Sequence, residues 1–194
     1  MAQKNQMTIA CLGWGSLVWD PRGLLVRRPW FPDGPLLPVE FCRKSDGGRM
    51  TLVIVNGKFR VRALWALCST GVLRDAILSL RKRELWGSAA SIVSVNDGQI
   101  GCWKRGSVIK KGDQIQTIIG KWALSIGLDA VLWTALGPTA SPAPSEQDVV
   151  SYLSGLKGKV RQDARRYIRC APSQIDTDYR RAIEKKLGWT PLDK

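Results

Sequence analysis

Hydrophobic and polar positions change their period several times along the chain, and each change predicts an element. Met7-Thr8-Ile9-Ala10-Cys11-Leu12 is a short apolar run stopped by Gly13, which predicts a strand ending in a glycine turn. Pro21, Pro29, Pro32, Pro35 and Pro38 then make a long helix improbable, because each proline fixes φ and lacks an N–H. A looping excursion is expected there. Strand-like pieces follow at Val39–Lys44, Met50–Asn56 and Lys58–Ala66, the last two separated by Asn56-Gly57, a dipeptide suited to a type I′ hairpin. Val72, Ala76, Ile77 and Leu80 recur at helical spacing and predict a helix over Val72–Arg83, with Glu84 just past it on the way into a strand at Ala89–Val95.

Asn96-Asp97-Gly98 is a second hairpin signal, and short strands are expected after it at Ile100–Trp103, Gln114–Ile119, Trp122–Ile126 and Ala130–Thr134. Many short strands around a single helix predict an α+β fold. The architecture expected is a small, mostly antiparallel, closed or nearly closed β-barrel, since closure removes exposed strand edges. Gly137–Pro144 shifts abruptly to Pro and Ala and reads as a linker. Ser145-Glu146-Gln147-Asp148 resembles a capping box opening a helix through about Leu156. A last helix is expected from Asp176 or Thr177 through Leu187, with Tyr179, Ile183 and Leu187 four apart and Gly188 placed to end it. The organisation expected is a barrel domain over 1–137, a Pro/Ala linker over 138–144, and a basic helical C-terminal extension over 145–194 packed on the barrel.

Composition narrows the chemistry. With 194 residues, 44% of them hydrophobic, and nine tryptophans, the chain can bury a core without disulfides. Cys11, Cys42, Cys68, Cys102 and Cys170 lie at least 26 residues apart, so no Cys-x-x-Cys motif exists and buried reduced thiols are expected. There is no histidine, which excludes Ser-His-Asp triads, Cys-His dyads and His-ligated zinc. Acid/base work falls to a carboxylate, lysine, tyrosine or thiol. The N-terminus lacks the apolar core of a secretory signal and no stretch approaches a membrane span of about 20 apolar residues, so a cytoplasmic protein without a membrane partner is expected.

Thirty Lys and Arg against 16 Asp and Glu give a formal net charge of +14, enough to draw in anionic ligands. Eleven basic and five acidic side chains lie between Lys157 and Lys194. That stretch reads either as a solvated helical face or as a surface for nucleic acid or another polyanion.

Two short motifs carry candidate chemistry. Gly13-Trp14-Gly15-Ser16-Leu17 follows the first strand, and successive free N–H groups in such a turn can form a nest for an anion or a developing oxyanion; a plain turn is the alternative. Arg81-Lys82-Arg83-Glu84 is a carboxylate among cations, either a salt-bridged helix end or, if it faces a pocket floored by Leu85 and Trp86, a desolvated base.

Gly13-Trp14-Gly15-Ser16-Leu17, continuing Val18-Trp19-Asp20-Pro21, resembles the Gly-Tyr-Gly-Ser-Leu-hydrophobic-Trp loop of ChaC-type gamma-glutamylcyclotransferases and their AIG2-like relatives. In that family a strand with Arg and Ser, a hairpin, a helix and an Arg-Glu pair follow in order. Phe41-Cys42-Arg43-Lys44-Ser45, Met50–Ala66, Val72–Leu80 and Arg83-Glu84 stand in that order here, so the resemblance covers about residues 8 to 135. It implies that Gly13, Trp14, Gly15, Ser16 and Leu17 hold a gamma-glutamyl group and that Glu84 is the acid/base. It implies release of 5-oxoproline by attack of the substrate's own α-amine on its γ-carbonyl, with no metal or organic cofactor. Trp14 replaces the family tyrosine, keeping a ring wall and losing a hydroxyl. Leu85-Trp86-Gly87-Ser88 follows the glutamate where the family usually has Gly-Tyr, so glutathione as the substrate does not follow. Arg43 and Ser45 match positions near the family pocket. The competing reading is a non-catalytic binding module whose basic tail contacts nucleic acid or an acidic partner.

Overall fold

Ile9–Gly13 forms β1, a strand buried at all five positions, and around it the first of two compact units assembles. The computed structural model describes residues 6–84 and 100–193. The first unit takes in the chain up to Gly13, then Pro21–Pro35 and Ala63–Ala135; the second takes in Trp14–Asp20, Leu36–Arg62 and the chain from Leu136 onward.

In chain order the remaining elements are α1 (Ser16–Trp19), β2 (Leu36–Leu37), β3 (Val39–Lys44), β4 (Met50–Ile54), β5 (Val61–Arg62), β6 (Leu64–Leu67) and α2 (Leu73–Glu84). They continue with β7 (Ile100–Lys104), α3 (Gln114–Ser125), β8 (Ala130–Thr134), α4 (Glu146–Gly155), α5 (Gly158–Cys170) and α6 (Asp178–Leu187). The fold is mixed α+β, with six helices and three sheets among the described residues.

The first unit is built on a four-stranded sheet of order β6-β1-β8-β7. Only the β1–β8 pairing is parallel, with Ile9 opposite Ala130; β1–β6 and β7–β8 are antiparallel. β1 and β8 are central and almost continuously apolar, as strands covered on both faces must be. Small residues make room for large ones on this sheet: Gly101 faces Trp133 across the β7–β8 pair, and Gly120 of α3 faces the Trp103 indole. A methyl on either glycine would overlap the ring opposite.

The second unit holds two ribbons, β3–β4 and β2–β5, with α4, α5 and α6. α5 packs on β4 and α6 on β3. The ends of these helices are those the side chains dictate. Ser145 accepts from the Asp148 N–H at 3.2 Å while Asp148 accepts from the Ser145 N–H at 2.9 Å, a complete capping box. Thr177 caps α6, and Gly188 ends it in the left-handed conformation at φ 67°.

Four sequence expectations are corrected. Gln114–Ile119 and Trp122–Ile126 are not strands but parts of α3. The β-branched run Ile115, Thr117, Ile118, Ile119 favours a strand locally, yet Asp113 accepts from the Gln116 N–H at 2.9 Å and buries Ile119, Gly120 and Ala123 along one helical stripe. Asn56-Gly57 does not join two paired strands: β4 pairs with β3, and only Gly57 of the dipeptide has positive φ, whereas a type I′ turn needs both. Lys58–Ala66 is not one strand; β5 pairs with β2 while β6 pairs with β1. Glu84 is the last residue of α2 rather than a residue beyond it. α5 was not anticipated from the sequence. The expected strand Ala89–Val95, the Asn96-Asp97-Gly98 turn and the Leu85-Trp86 floor lie outside the described residues.

Candidate functional site

Glu84 ends α2 with its carboxylate accepting from Arg83 Nη1 at 3.0 Å, and its side chain is only 17% exposed. Burial pushes its pKa above the ordinary 4.5, and the charge and hydrogen bond of Arg83, with the charge of Arg22, pull it part of the way back. Arg22 is the only non-glycine described residue with positive φ, at 52°, a region that L side chains avoid. Its strained backbone lies in the Pro21 turn, within electrostatic reach of Glu84.

The same unit brings β1 into this field. Cys11, two residues before Gly13, is wholly buried, and its thiol is pushed well up by burial first and then by Cys68 and Glu84. Burial pushes Cys68 up to about 12. Both thiols stay protonated and are poor nucleophiles. What remains chemically active here is a carboxyl group that holds its proton to higher pH than a free glutamate, with two guanidiniums to stabilise the ionised form.

The loop residues divide between the units. Gly13 is the last residue of β1, opposite Leu64 in the first unit. Trp14, Gly15, Ser16 and Leu17 belong to the second unit. There Trp14 is 3% exposed and its Nε1–H donates to the Leu52 carbonyl at 3.3 Å, so the expected ring wall is a core group with its donor already used. Gly15 starts α1, its carbonyl accepting from the Val18 N–H at 3.0 Å. A methyl at Gly15 would lie 2.6 Å from Tyr167 Oη. The glycine thus permits a close approach, and the group approaching is the phenol of α5, which also accepts from the Leu52 N–H at 3.4 Å. Trp19 meets the Tyr167 ring edge-on at 5.3 Å. Leu17 is buried, and the Ser16 carbonyl accepts from the Asp20 N–H at 2.9 Å.

Arg43 Nη1 donates to the Gly137 carbonyl at 3.1 Å, and Ser45 Oγ accepts from the Arg49 N–H at 3.2 Å. Both are engaged in holding local structure in the second unit. Sequence reasoning missed Arg22 and Tyr167. Asp20-Pro21-Arg22-Gly23 carries a turn signal for the first, and the apolar spacing Ala164, Tyr167, Ile168, Ala171 is the signal that could have placed the second on a buried helical face.

A second polar cluster surrounds Glu40, a β3 carboxylate 2% exposed. It accepts from Thr177 Oγ1 at 2.5 Å and from the N–H of Phe41 at 2.8 Å and of Tyr179 at 3.4 Å. Burial raises its pKa, and those hydrogen bonds and Lys58 oppose the rise. The carboxylate lies where the N-terminal dipole of α6 favours negative charge.

Cavities among the described residues include an open groove of about 740 Å³ lined by Lys58, Ser145, Glu146, Tyr179, Arg181 and Lys185 among others, and a cleft of about 360 Å³ that Cys68 helps to line. Glu84 and the loop residues line neither. Among the described residues no group of three or more His, Cys, Asp or Glu side chains is placed to hold a metal ion, and no helix is long and apolar enough to cross a membrane. Compared with protein-family models, curated proteins and solved structures, the chain matches none.

Proposed function

We propose that the chain is a gamma-glutamylcyclotransferase that releases 5-oxoproline from a gamma-glutamyl peptide or amine, with Glu84 as its acid/base. The observation that carries this reading is the environment of Glu84: a mostly buried carboxylate, raised in pKa by desolvation and tempered by Arg83 and Arg22. A carboxyl group whose pKa is raised toward the working pH is better matched to both taking and returning a proton.

The reaction balances on that one group. Glu84 takes a proton from the substrate's α-ammonium, and the freed nitrogen attacks the γ-carbonyl carbon of the same molecule. The tetrahedral intermediate then breaks its bond to the leaving amine, which receives the proton from Glu84; the second proton of the attacking nitrogen leaves through the same carboxylate, so 5-oxoproline keeps one N–H and the amine departs as an ammonium. Nucleophile and electrophile are already tethered, so holding the chain folded supplies much of the rate. A closed or nearly closed barrel and a cytoplasmic location belong to the same proposal.

The test is to incubate the purified protein and its Glu84→Gln variant with a panel of gamma-glutamyl compounds, glutathione included, and detect 5-oxoproline by mass spectrometry. Release by the wild type and none by the variant supports the reading; no release across the panel sinks it.

A further inference from the structure

The segment leaving β4, Lys58-Phe59-Arg60-Val61-Arg62, alternates cations with apolar residues and exposes its aromatic ring. Phe59 is 78% exposed, whereas Phe41 is fully buried and Phe31 lies against Trp65 at 4.7 Å. Arg60 and Arg62 are also exposed.

This exposure is not the slackness of an untethered turn. On one side, Lys58 Nζ donates to Tyr179 Oη at 2.8 Å and sits 4.5 Å from the same ring, while that hydroxyl donates to the Pro144 carbonyl at 2.9 Å. On the other, Gln174 Nε2 donates to the Arg62 carbonyl at 2.9 Å, and Arg62 pairs with Leu36 in the β2–β5 ribbon. Phe59 is therefore presented to solvent between two anchored residues.

Lys58 also lines the 740 Å³ groove, together with Arg181 and Lys185 from α6. Arg181 is committed to Asp176 and Asp178, at 2.9 and 2.6 Å. Lys58, Arg60 and Lys185 make no ion pair among the described residues; Lys58 and Arg60 flank the bare ring in the chain, and Lys185 shares the groove with Lys58. The unit that carries them holds seventeen basic and ten acidic side chains.

We propose that this surface binds single-stranded nucleic acid, with Phe59 as a platform for one unstacked base and Lys58, Arg60 and Lys185 on the neighbouring phosphates. An exposed ring between cations matches that ligand because every base offers a π-face once it is out of a duplex. A duplex keeps its bases stacked on one another and gives the ring nothing to cover. An acidic peptide would engage the cations and leave the ring bare. Glu146 and Asp178 in the groove disfavour a second row of phosphates and suit the amino groups of bases instead. Three phosphate contacts on a single strand set the salt dependence, a slope of about −2 in log K against log salt.

The experiment is fluorescence anisotropy with labelled oligothymidylate and oligouridylate of about twelve nucleotides, the matching duplex, and polyglutamate as competitor, all on the full chain. Both single strands bind, the duplex binds more weakly, and polyglutamate displaces them poorly. Phe59→Ala weakens binding about 5- to 150-fold, the range for loss of one stacked base, while Phe59→Trp retains it. Since Phe59 is exposed, circular dichroism of Phe59→Ala matches the wild type, and its 5-oxoproline release is unchanged. Equal binding by Phe59→Ala, preference for the duplex, efficient displacement by polyglutamate, or no binding at low salt would each overturn the proposal. A preference between the two strands tells RNA from DNA, and either result supports it.

Discussion

Replacing Arg180 by methionine removes a guanidinium that is 0% exposed and ties the end of α5 to α6. Its Nη1 donates to the carbonyls of Pro172 at 2.6 Å and Ile175 at 3.1 Å, and its Nη2 to those of Ile168 at 3.1 Å and Ala171 at 2.7 Å. Two of the four acceptors keep another donor in the variant: Pro172 from the Ile175 N–H and Ile175 from the Thr177 N–H. Ile168 and Ala171 do not. The residue that could cap Ile168 from the next turn is Pro172, which has no N–H. Two buried carbonyls left bare cost about 1–3 kcal/mol each, so the loss is about 4 kcal/mol. Glu184, 3.4 Å from Arg180 Nε and 18% exposed, adds little because water can replace its partner. Urea unfolding followed by far-UV circular dichroism reads this directly: at a slope of roughly 2 kcal/mol per molar, the midpoint falls by about 2 M. Arg180→Lys recovers part of the loss, since an ammonium reaches some of the carbonyls, and Glu184→Gln loses less than about 1 kcal/mol. A methionine variant within about 1 kcal/mol of wild type would refute the argument, because it would mean the carbonyls find other donors.

Four further outcomes follow from geometry already given. Glu40 is raised by burial, so its folded form holds a proton that the unfolded chain has released; its contribution to stability is present below about pH 4.5 and is lost as pH rises through the raised value. Glu40→Gln flattens the fall in urea midpoint as pH rises above about 4.5, leaving the fall due to Glu84, and an unchanged pH dependence would contradict the assignment. Gly15→Ala drives a methyl to 2.6 Å from Tyr167 Oη and costs about 1–3 kcal/mol; adding Tyr167→Phe removes the hydroxyl and returns most of that, measured as a double-mutant cycle. For the enzyme reading, the acid limb of the 5-oxoproline rate lies above pH 4.5 and vanishes with Glu84→Gln; a limb that survives in the variant belongs to another group. Phe59→Ala loses single-strand binding and keeps turnover, which anisotropy and mass spectrometry on one preparation decide together.

Helix ends were legible in the chain wherever a local side chain makes them. Ser145, Asp148, Thr177 and Gly188 act within three or four residues of their own backbone, so α4 and α6 could be placed to within a residue or two. β8 was equally readable as a compact apolar run, and β3 as a short strand between Pro38 and the Asp46-Gly47 turn. α3 was not, because local β preference in Ile115–Ile119 is outweighed by packing of Gly120 on Trp103, a tertiary fact. α5 hides among arginines: four of its thirteen residues are Arg, and the buried stripe is carried by Ala164, Tyr167 and Ile168.

Burial of charge was the least readable property. Arg180 stands beside Arg181 in the sequence as one of a pair of equals, yet one is wholly enclosed and the other exposed. Glu40 is a lone acid in an apolar strand, and what makes it tolerable is a threonine far along the chain. For Glu84 the neighbouring cations suggested a solvated helix end, and only three-dimensional packing distinguishes that from a desolvated carboxylate. The motif order pointed to the residue, and its electrostatic setting had to come from coordinates.

Glu40 and Thr177 are separated by 137 residues, and that interval sets a schedule for synthesis. At a translation rate of 5–20 residues per second, β3 emerges roughly 7 to 27 s before its helical cover exists. Through that time the β3–β4 ribbon keeps its carboxylate hydrated and its apolar face uncovered, so this unit closes only once α6 has been made. A nascent chain of this protein is thus vulnerable at the β3–β4 ribbon, and a chaperone that holds residues 39–54 during elongation would act where the topology leaves a long wait.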